Sequence, residues 1–194
     1  PRDIVSGDFY WGYANEKLSI WAAADCTGHG VPGAFMSMLG VGLLNEIVAE
    51  GRIFEPSKIL NKLRSKIIQS LQQKGEERKD GMDIAICTLN RNTNILQFSG
   101  AYNPLWIIRK TSLEQITLAD LNKPKDLSFL EDNEYTLTEI KANKMPIGKF
   151  QKEDESFTSY QIQLLKEDMI YTFSDGFQDQ FGGEDGRKYM SKKM

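Results

Sequence analysis

Several residue types are scarce in this chain of 194 residues, and each scarcity excludes a class of site. The chain has a single histidine, His29, and two cysteines, Cys26 and Cys87. Zinc sites take most of their ligands from these two residue types, so a zinc site of the usual Cys/His kind is excluded. Two cysteines so far apart also do not form a disulfide framework, and we expect both thiols to be free in a reducing compartment.

An excess of positive charge is also absent. The chain has 24 Lys and Arg residues against 27 Asp and Glu residues, which gives a formal net charge of -3. Proteins that bind nucleic acid must neutralise phosphates, so we expect no nucleic-acid partner. We also expect no apolar run long enough to cross a bilayer, and no secretory signal pattern opens the chain. These features predict a cytoplasmic protein.

Hydrophobic periodicity predicts an α+β fold with a single domain over residues 1–194. Helices are predicted at 31–50 and from Pro56 onward, each with an apolar stripe that we expect to face the core. The stripes are Phe35, Met38, Leu39, Gly42, Leu43 and Ile47 in the first helix, and Ile59, Leu60, Leu63, Ile67 and Leu71 in the second. The predicted strands are 4–13, 18–24, 82–89, 95–101, 105–109, 113–118, 135–140, 158–164 and 169–173, with a loop at 120–133. Helices on a two-sheet core fit this order.

Three aspartates stand next to apolar strands, where an unpaired carboxylate is costly. Asp8 lies in Ser6-Gly7-Asp8-Phe9-Tyr10, Asp25 directly follows strand 18–24, and Asp175 precedes Gly176. Carboxylate oxygens suit Mg²⁺ and Mn²⁺, and two such ions about 3.5–4 Å apart can activate a water toward phosphorus. We therefore predict one shared metal site, although each aspartate alone could be an ordinary turn residue.

A glycine-rich segment, Thr27-Gly28-His29-Gly30, joins Asp25 to the first helix. Backbone amides in such a loop can face a phosphate, but a tight strand-to-helix turn uses the same glycines. His29 is interpreted as a residue that orients the loop, with a general acid or a metal ligand as the alternatives. Cys26 lacks the arginine-containing loop of a thiol phosphatase, so we interpret it as a small buried residue whose carbonyl faces the site.

Four further residues are predicted to surround the ligands without being ligands. Ser174 and Gly176 flank Asp175 in the sequence. Asp83, in Gly81-Met82-Asp83-Ile84-Ala85, opens an apolar strand, and a surface strand start explains it equally well. Asn103 precedes Pro104, and an ordinary turn residue is the favoured interpretation.

Taken together, these motifs resemble the SpoIIE-type, RsbU-like bacterial branch of the metal-dependent type 2C-like (PPM) serine/threonine protein phosphatases. The resemblance rests on the segments at 6–10, 25–34, 81–85, 99–104, 145–148 and 172–176, which occur in the family's order and span nearly the whole chain. It implies a fold of two packed antiparallel sheets flanked by helices, the PPM-type αββα sandwich.

The resemblance also implies a chemistry. Two Mn²⁺ or Mg²⁺ ions would be bound by Asp8, by Asp25 as the bridging ligand, by the Cys26 carbonyl and by Asp175. A metal-bridging hydroxide would then attack phosphoserine or phosphothreonine on a small anti-anti-sigma (STAS-type) signalling protein. An upstream sensor or dimerisation module, which could attach the full-length protein to a membrane, is expected, and homodimerisation is left open.

Departures from the family pattern keep other functions open. Tyr102 stands where the branch commonly has histidine, and the last metal-binding aspartate of the family lies in a strand beyond Met194. We therefore expect a fragment, truncated at both ends. The first alternative is an inactive phosphatase-fold binding module in a partner-switching pathway, and the second is a hydrolase of small phosphate esters, which would need a closed pocket.

Overall fold

A computed structural model describes residues 6–71, 80–116, 127–150, 154–176, 181–182 and 187–188. The first half contains strands β1 (Phe9–Ala14) and β2 (Leu18–Cys26), helix α1 (Gly30–Asn45) with a π-helical turn (Glu46–Glu50), and helix α2 (Pro56–Ser70). The strands that follow are β3 (Gly81–Asn90), β4 (Ile95–Ala101), β5 (Leu105–Lys110), β6 (Leu127–Glu131), β7 (Tyr135–Ile140), β8 (Ile147–Gly148), β9 (Tyr160–Gln163), β10 (Met169–Tyr171), β11 (Phe181–Gly182) and β12 (Arg187–Lys188).

The strands form two larger antiparallel sheets. Sheet A has the order β1-β2-β3-β4-β9, with β8 paired to β3, and sheet B has the order β10-β5-β7-β6. Strands β11 and β12 pair with each other. This arrangement confirms the predicted α+β fold with two antiparallel sheets.

Two hydrophobic clusters define the layers. One joins sheet A to the helices, with Ile20, Ala24 and Ile84 from the sheet packed against Leu44 and Leu63. The other lies between the sheets and contains residues of sheet A (Ala85, Cys87, Leu96 and Phe98) with residues of sheet B (Leu105, Ile107 and Ile140). Because side chains alternate along a strand, the even positions of β3 face the helices and the odd positions face sheet B. Both cysteines are buried and free, as expected.

Only part of the predicted stripe of helix α1 faces the core: Ile47 is buried, and Leu39 and Leu43 are half-buried against the core cluster. The buried residues of α1 are Gly33, Met36, Gly40 and Leu44. Phe35 and Met38 are instead 68% and 71% exposed, and Gly42 is also exposed. Gly40 allows close packing, since an added Cβ would lie 2.9 Å from the Phe9 ring and 3.0 Å from the Met82 methyl group. The helix itself carries apolar residues on every face, so hydrophobic periodicity alone could not identify the face that packs on the core.

The same helix corrects the expectation about apolar runs. Together with the following turn it forms a 21-residue helical stretch, Gly30–Glu50, with a hydropathy of 1.5, which is long and apolar enough to cross a membrane by length and composition alone. One third of an 18-residue window within that stretch is buried in this fold, and a helix of a protein core passes the same test.

Other boundaries also differ from prediction. The first strand begins at Phe9 rather than at residue 4, residues 4–5 lying outside the described part. No strand forms at 113–116, and 117–118 are not described. Residues 120–126 of the predicted loop at 120–133 lie outside the described part, and the remainder contains strand β6, whose hydrogen-bonded partner β7 supplies a pairing that its own sequence does not signal.

Candidate metal centre

The acidic residues of sheet A lie in one row at one end of the sheet. Asp25, near the end of β2, is the cross-strand partner of Asp83 on β3. Phe9 pairs with Ala24, so Asp8, which directly precedes β1, comes level with Asp25. Side chains that are directly opposite in neighbouring strands lie on the same face. By alternation, Asp25 and Asp83 lie on the face that packs against sheet B.

Asp175 reaches this row from the second sheet. It follows strand β10 of sheet B by four residues. Its neighbour Ser174 donates a hydrogen bond from Oγ to Asp8 Oδ2 at 3.0 Å. A Cβ added at Gly176 would lie 2.9 Å from the same Asp8 oxygen, so glycine permits this approach. The segment 174–176 therefore joins the end of sheet B to the acidic row of sheet A.

Proximity changes the protonation of these groups. The pKa of Asp25 rises to about 8, mainly through burial and then through the neighbouring carboxylates of Asp8 and Asp175. Burial, followed by the charge of Asp175, raises the pKa of Asp83 to about 6. Burial and the charges of Asp25 and Asp8 raise the pKa of the Cys26 thiol to about 12, so it is protonated at neutral pH. Cys26 is therefore no thiolate nucleophile, in agreement with its sequence interpretation.

The donor chemistry of this site fits a hard divalent cation. None of the salt bridges between described residues involves Asp8, Asp25, Asp83 or Asp175. The carbonyl oxygen of Cys26 lies close to the backbone of Gly7, the residue before Asp8, since a Cβ added to Gly7 would be only 2.8 Å from that oxygen. Within the described part of the chain, however, no three His, Cys, Asp or Glu side chains already stand at metal-binding spacing. The carboxylates are thus close enough for Asp8 and Asp175 to act on the pKa of Asp25.

The glycine-rich loop is held by close backbone contacts. Gly28 and Gly30 have left-handed backbones, with φ of 91° and 61°. A Cβ on Gly33 would lie 2.7 Å from the Gly28 carbonyl oxygen and 3.2 Å from Gly7 Cα. The close backbone contacts of Gly7 and Gly33 were not predicted from the sequence. A glycine directly before Asp8 was the one signal that could have indicated a close approach there. These contacts fix the loop against the segment that carries Asp8.

The remaining predicted residues lie in the loops and strand ends around the acidic row. The Thr27 backbone N–H donates to the Gly81 carbonyl at 2.9 Å, and the Gly81 N–H donates to Thr27 Oγ1 at 3.0 Å. Thr27 therefore ties β2 to β3 beside the acidic pair. His29 is the N-cap residue of α1, with an extended backbone. Asn103 lies between β4 and β5, where its backbone N–H donates to the Ala101 carbonyl at 2.7 Å, while its buried side-chain amide nitrogen has no partner among the described residues.

Solved structures place this architecture among PP2C-type phosphatase domains. The SiaA-PP2C domain of Pseudomonas aeruginosa is 26% identical, with a TM-score of 0.75, over all of this chain and 65% of that one. The RsbU and RsbW domains of Rv1364c from Mycobacterium tuberculosis share the fold at 18% identity and a TM-score of 0.62, over 93% of this chain and 42% of that one. The PP2C phosphatase domain of SpoIIE from Bacillus subtilis was solved with a fragment of its regulatory domain. It shares the fold at 15% identity and a TM-score of 0.64, over 92% of this chain and 44% of that one.

The family model for Stage II sporulation protein E (SpoIIE) matches residues 17–193, so the chain belongs to the SpoIIE family. This confirms the resemblance that the motifs predicted. A comparison with curated protein sequences gave no match. The chain spans less than two thirds of the solved structures described above.

Proposed function

We propose that this chain is the catalytic domain of a divalent-cation-dependent protein-serine/threonine phosphatase. The observation that carries the proposal is the meeting of Asp8, Asp25 and Asp175, which come from three distant segments and both sheets. Membership of the SpoIIE family and the PP2C-type fold support the same reaction class.

The residues that would hold the cations are Asp8, Asp25, Asp175 and the Cys26 carbonyl. Mg²⁺ or Mn²⁺, two ions in the complete domain, would supply charge neutralisation for a phosphoryl group and lower the pKa of a water. Magnesium is present with RsbX, a structural neighbour at 16% identity. In this chain the raised pKa of Asp25 means that a proton occupies the acidic row near neutral pH, and a bound cation would displace that proton.

The shape of the site favours a protein substrate over a small phosphate ester. Asp8 and Asp175 are exposed at the end of the two sheets. Small-molecule sites are usually enclosed and mostly apolar, whereas an exposed acidic rim is open to a phosphorylated surface segment. We propose a phosphorylated STAS-type signalling protein as the substrate and the cytoplasm as its location. Two structural neighbours support a signalling role: the RsbU and RsbW domains of one protein, and a protein of the bacterial stressosome.

The test is phosphate release from a phosphoserine STAS-type protein by the full-length protein that contains this chain, with Mn²⁺ and with EDTA. Release is expected only with Mn²⁺, and Asp25→Asn should reduce it at least 100-fold. Asp154→Asn, which removes one exposed carboxylate that has no described partner, is the control with an equal charge change. Equal activity of Asp25→Asn and Asp154→Asn would contradict the proposal.

The second candidate is a binding module without turnover. It is favoured by the lack of a complete ligand set at metal-binding spacing in the described residues. A chain that binds the phosphorylated protein in a pull-down, yet releases no phosphate with Mn²⁺, would support this candidate.

A further inference from the structure

We infer that Asp83 is an additional cation ligand, which adds a fourth carboxylate to the predicted set of Asp8, Asp25 and Asp175. The inference rests on the proposed function, since it concerns the same metal centre. Neither the spacing of Asp83 in the sequence nor its motif distinguishes a ligand from a surface strand start, and only the strand register does so.

The register places Asp83 directly across from Asp25. These two residues are Cα partners in the β2–β3 ladder, and the next pairs are Ala24 with Ile84 and Cys26 with Met82. Paired side chains at such positions have Cβ atoms about 4.5–5.5 Å apart, within reach of a shared cation. Asp83 therefore extends the acidic row by one strand.

The position of Asp83 is fixed by its neighbours in β3. Met82 and Ile84 are 1% and 0% exposed, on the opposite face of sheet A. β3 is paired with β2, β4 and β8, so a register shift would break three ladders. The three ladders therefore fix the backbone position from which the Asp83 carboxylate extends.

Asp83 also lacks the partners of a structural aspartate. It is half-buried, yet no described residue donates a hydrogen bond or forms an ion pair to it. Two aspartates elsewhere in the chain are well satisfied. Asp168 accepts from Arg109 at 2.8 and 2.6 Å, and Asp132 accepts from the backbone N–H groups of Glu134 and Tyr135, each at 2.8 Å. A carboxylate that is desolvated among other carboxylates is costly unless a cation pairs with it.

Mn²⁺ binding to the 194-residue chain tests the inference without any activity measurement. Free Mn²⁺ is followed by electron paramagnetic resonance during titration of the wild type, Asp83→Asn, Asp83→Glu and Asp154→Asn. Asp83→Asn should weaken Mn²⁺ binding at least tenfold, because it removes an anionic oxygen donor from the centre. Asp83→Glu should recover part of this loss, and Asp154→Asn should bind like the wild type.

Thermal unfolding separates a ligand from a structural residue. In EDTA, Asp83→Asn should unfold at the wild-type temperature or higher, because one repelling charge has been removed, while the rise in that temperature with Mn²⁺ should shrink. Wild-type affinity in a folded Asp83→Asn protein would overturn the inference and leave the proposed function intact. Should that variant not fold, wild-type affinity in Asp83→Ser would overturn it equally. A wild type that binds no Mn²⁺ would overturn both.

Discussion

Three glycines of helix α1 allow one substitution to be compared in three environments. Gly33, Gly40 and Gly42 lie in the same helix, and none has a left-handed backbone. Alanine in their place brings the same intrinsic gain in helix propensity, up to about 1 kcal/mol. Differences in the free energy of unfolding among the three variants therefore report the space around each Cβ.

The surroundings differ sharply. At Gly42 nothing lies within 4 Å of the added Cβ, so Gly42→Ala should raise the free energy of unfolding by about 0.5–1 kcal/mol. At Gly40 the close atoms are the Phe9 ring edge at 2.9 Å and the Met82 methyl at 3.0 Å, both ends of side chains that can move, so the net effect should be within about 1 kcal/mol of zero. At Gly33 the Cβ would meet backbone, the Gly28 carbonyl oxygen at 2.7 Å. Overpacking of this kind costs about 1–3 kcal/mol, which gives a net loss of about 1–2 kcal/mol for Gly33→Ala.

Urea denaturation followed by circular dichroism measures all three values. Gly33→Ala should also weaken Mn²⁺ binding, because the displaced Gly28 carbonyl belongs to the loop that follows Asp25 and Cys26. Gly42→Ala is the matched control for affinity. A Gly33→Ala protein as stable as Gly42→Ala would refute the packing of α1 on the loop.

Two further predictions concern charged groups. The pKa of Asp25 rises from 3.8 to about 8 on folding, so between these values the folded state holds a proton that the unfolded state has lost, and stability decreases as pH rises through this window. Because Asp25 is half-exposed, we expect a loss of only about 1–2 kcal/mol from pH 5 to pH 8.5 in EDTA, flattened in Asp25→Asn and checked by urea denaturation at each pH. The buried Arg109–Asp168 pair, with side chains 4% and 1% exposed, lies toward the end of sheet B opposite Asp175. Asp168→Asn should cost about 3–5 kcal/mol in urea denaturation and leave Mn²⁺ affinity unchanged, whereas a stable variant or an altered affinity would contradict this assignment.

The two helices show why part of the fold could be predicted from the sequence. Helix α2 alternates apolar residues with Lys and Arg, and the predicted Ile59, Leu60, Leu63 and Ile67 are all 0% exposed. Helix α1 has no charged residue between Gly30 and Asn45, so its inner face depends on where Phe9 and Met82 lie. Strand β6 likewise forms only because β7 is beside it. The buried face of a helix can be predicted from the sequence when charged residues mark its opposite face. It cannot be predicted when the face is selected by how the helix fits against other elements.

The candidate site also contains residues that the sequence predicted and contacts that it did not. Asp8, Asp25 and Asp175 stood out in the sequence because each interrupts an apolar segment, and the structure brings them together. The alignment of Asp83 with Asp25 depends on the register of β2 and β3, which the intervening helices separate in the chain. The contacts of Gly7 and Gly33 arise from backbone distances that composition does not encode.

The hydrogen bond from Ser174 to Asp8 joins residues 166 positions apart. During synthesis on the ribosome, at about 5–20 residues per second, the carboxylates of Asp8 and Asp25 emerge long before Asp175 is translated. The hairpin that carries them can form early, but the third carboxylate arrives only once nearly the whole domain has been made. A nascent chain is therefore kept from assembling its acidic centre until its two sheets can close on each other.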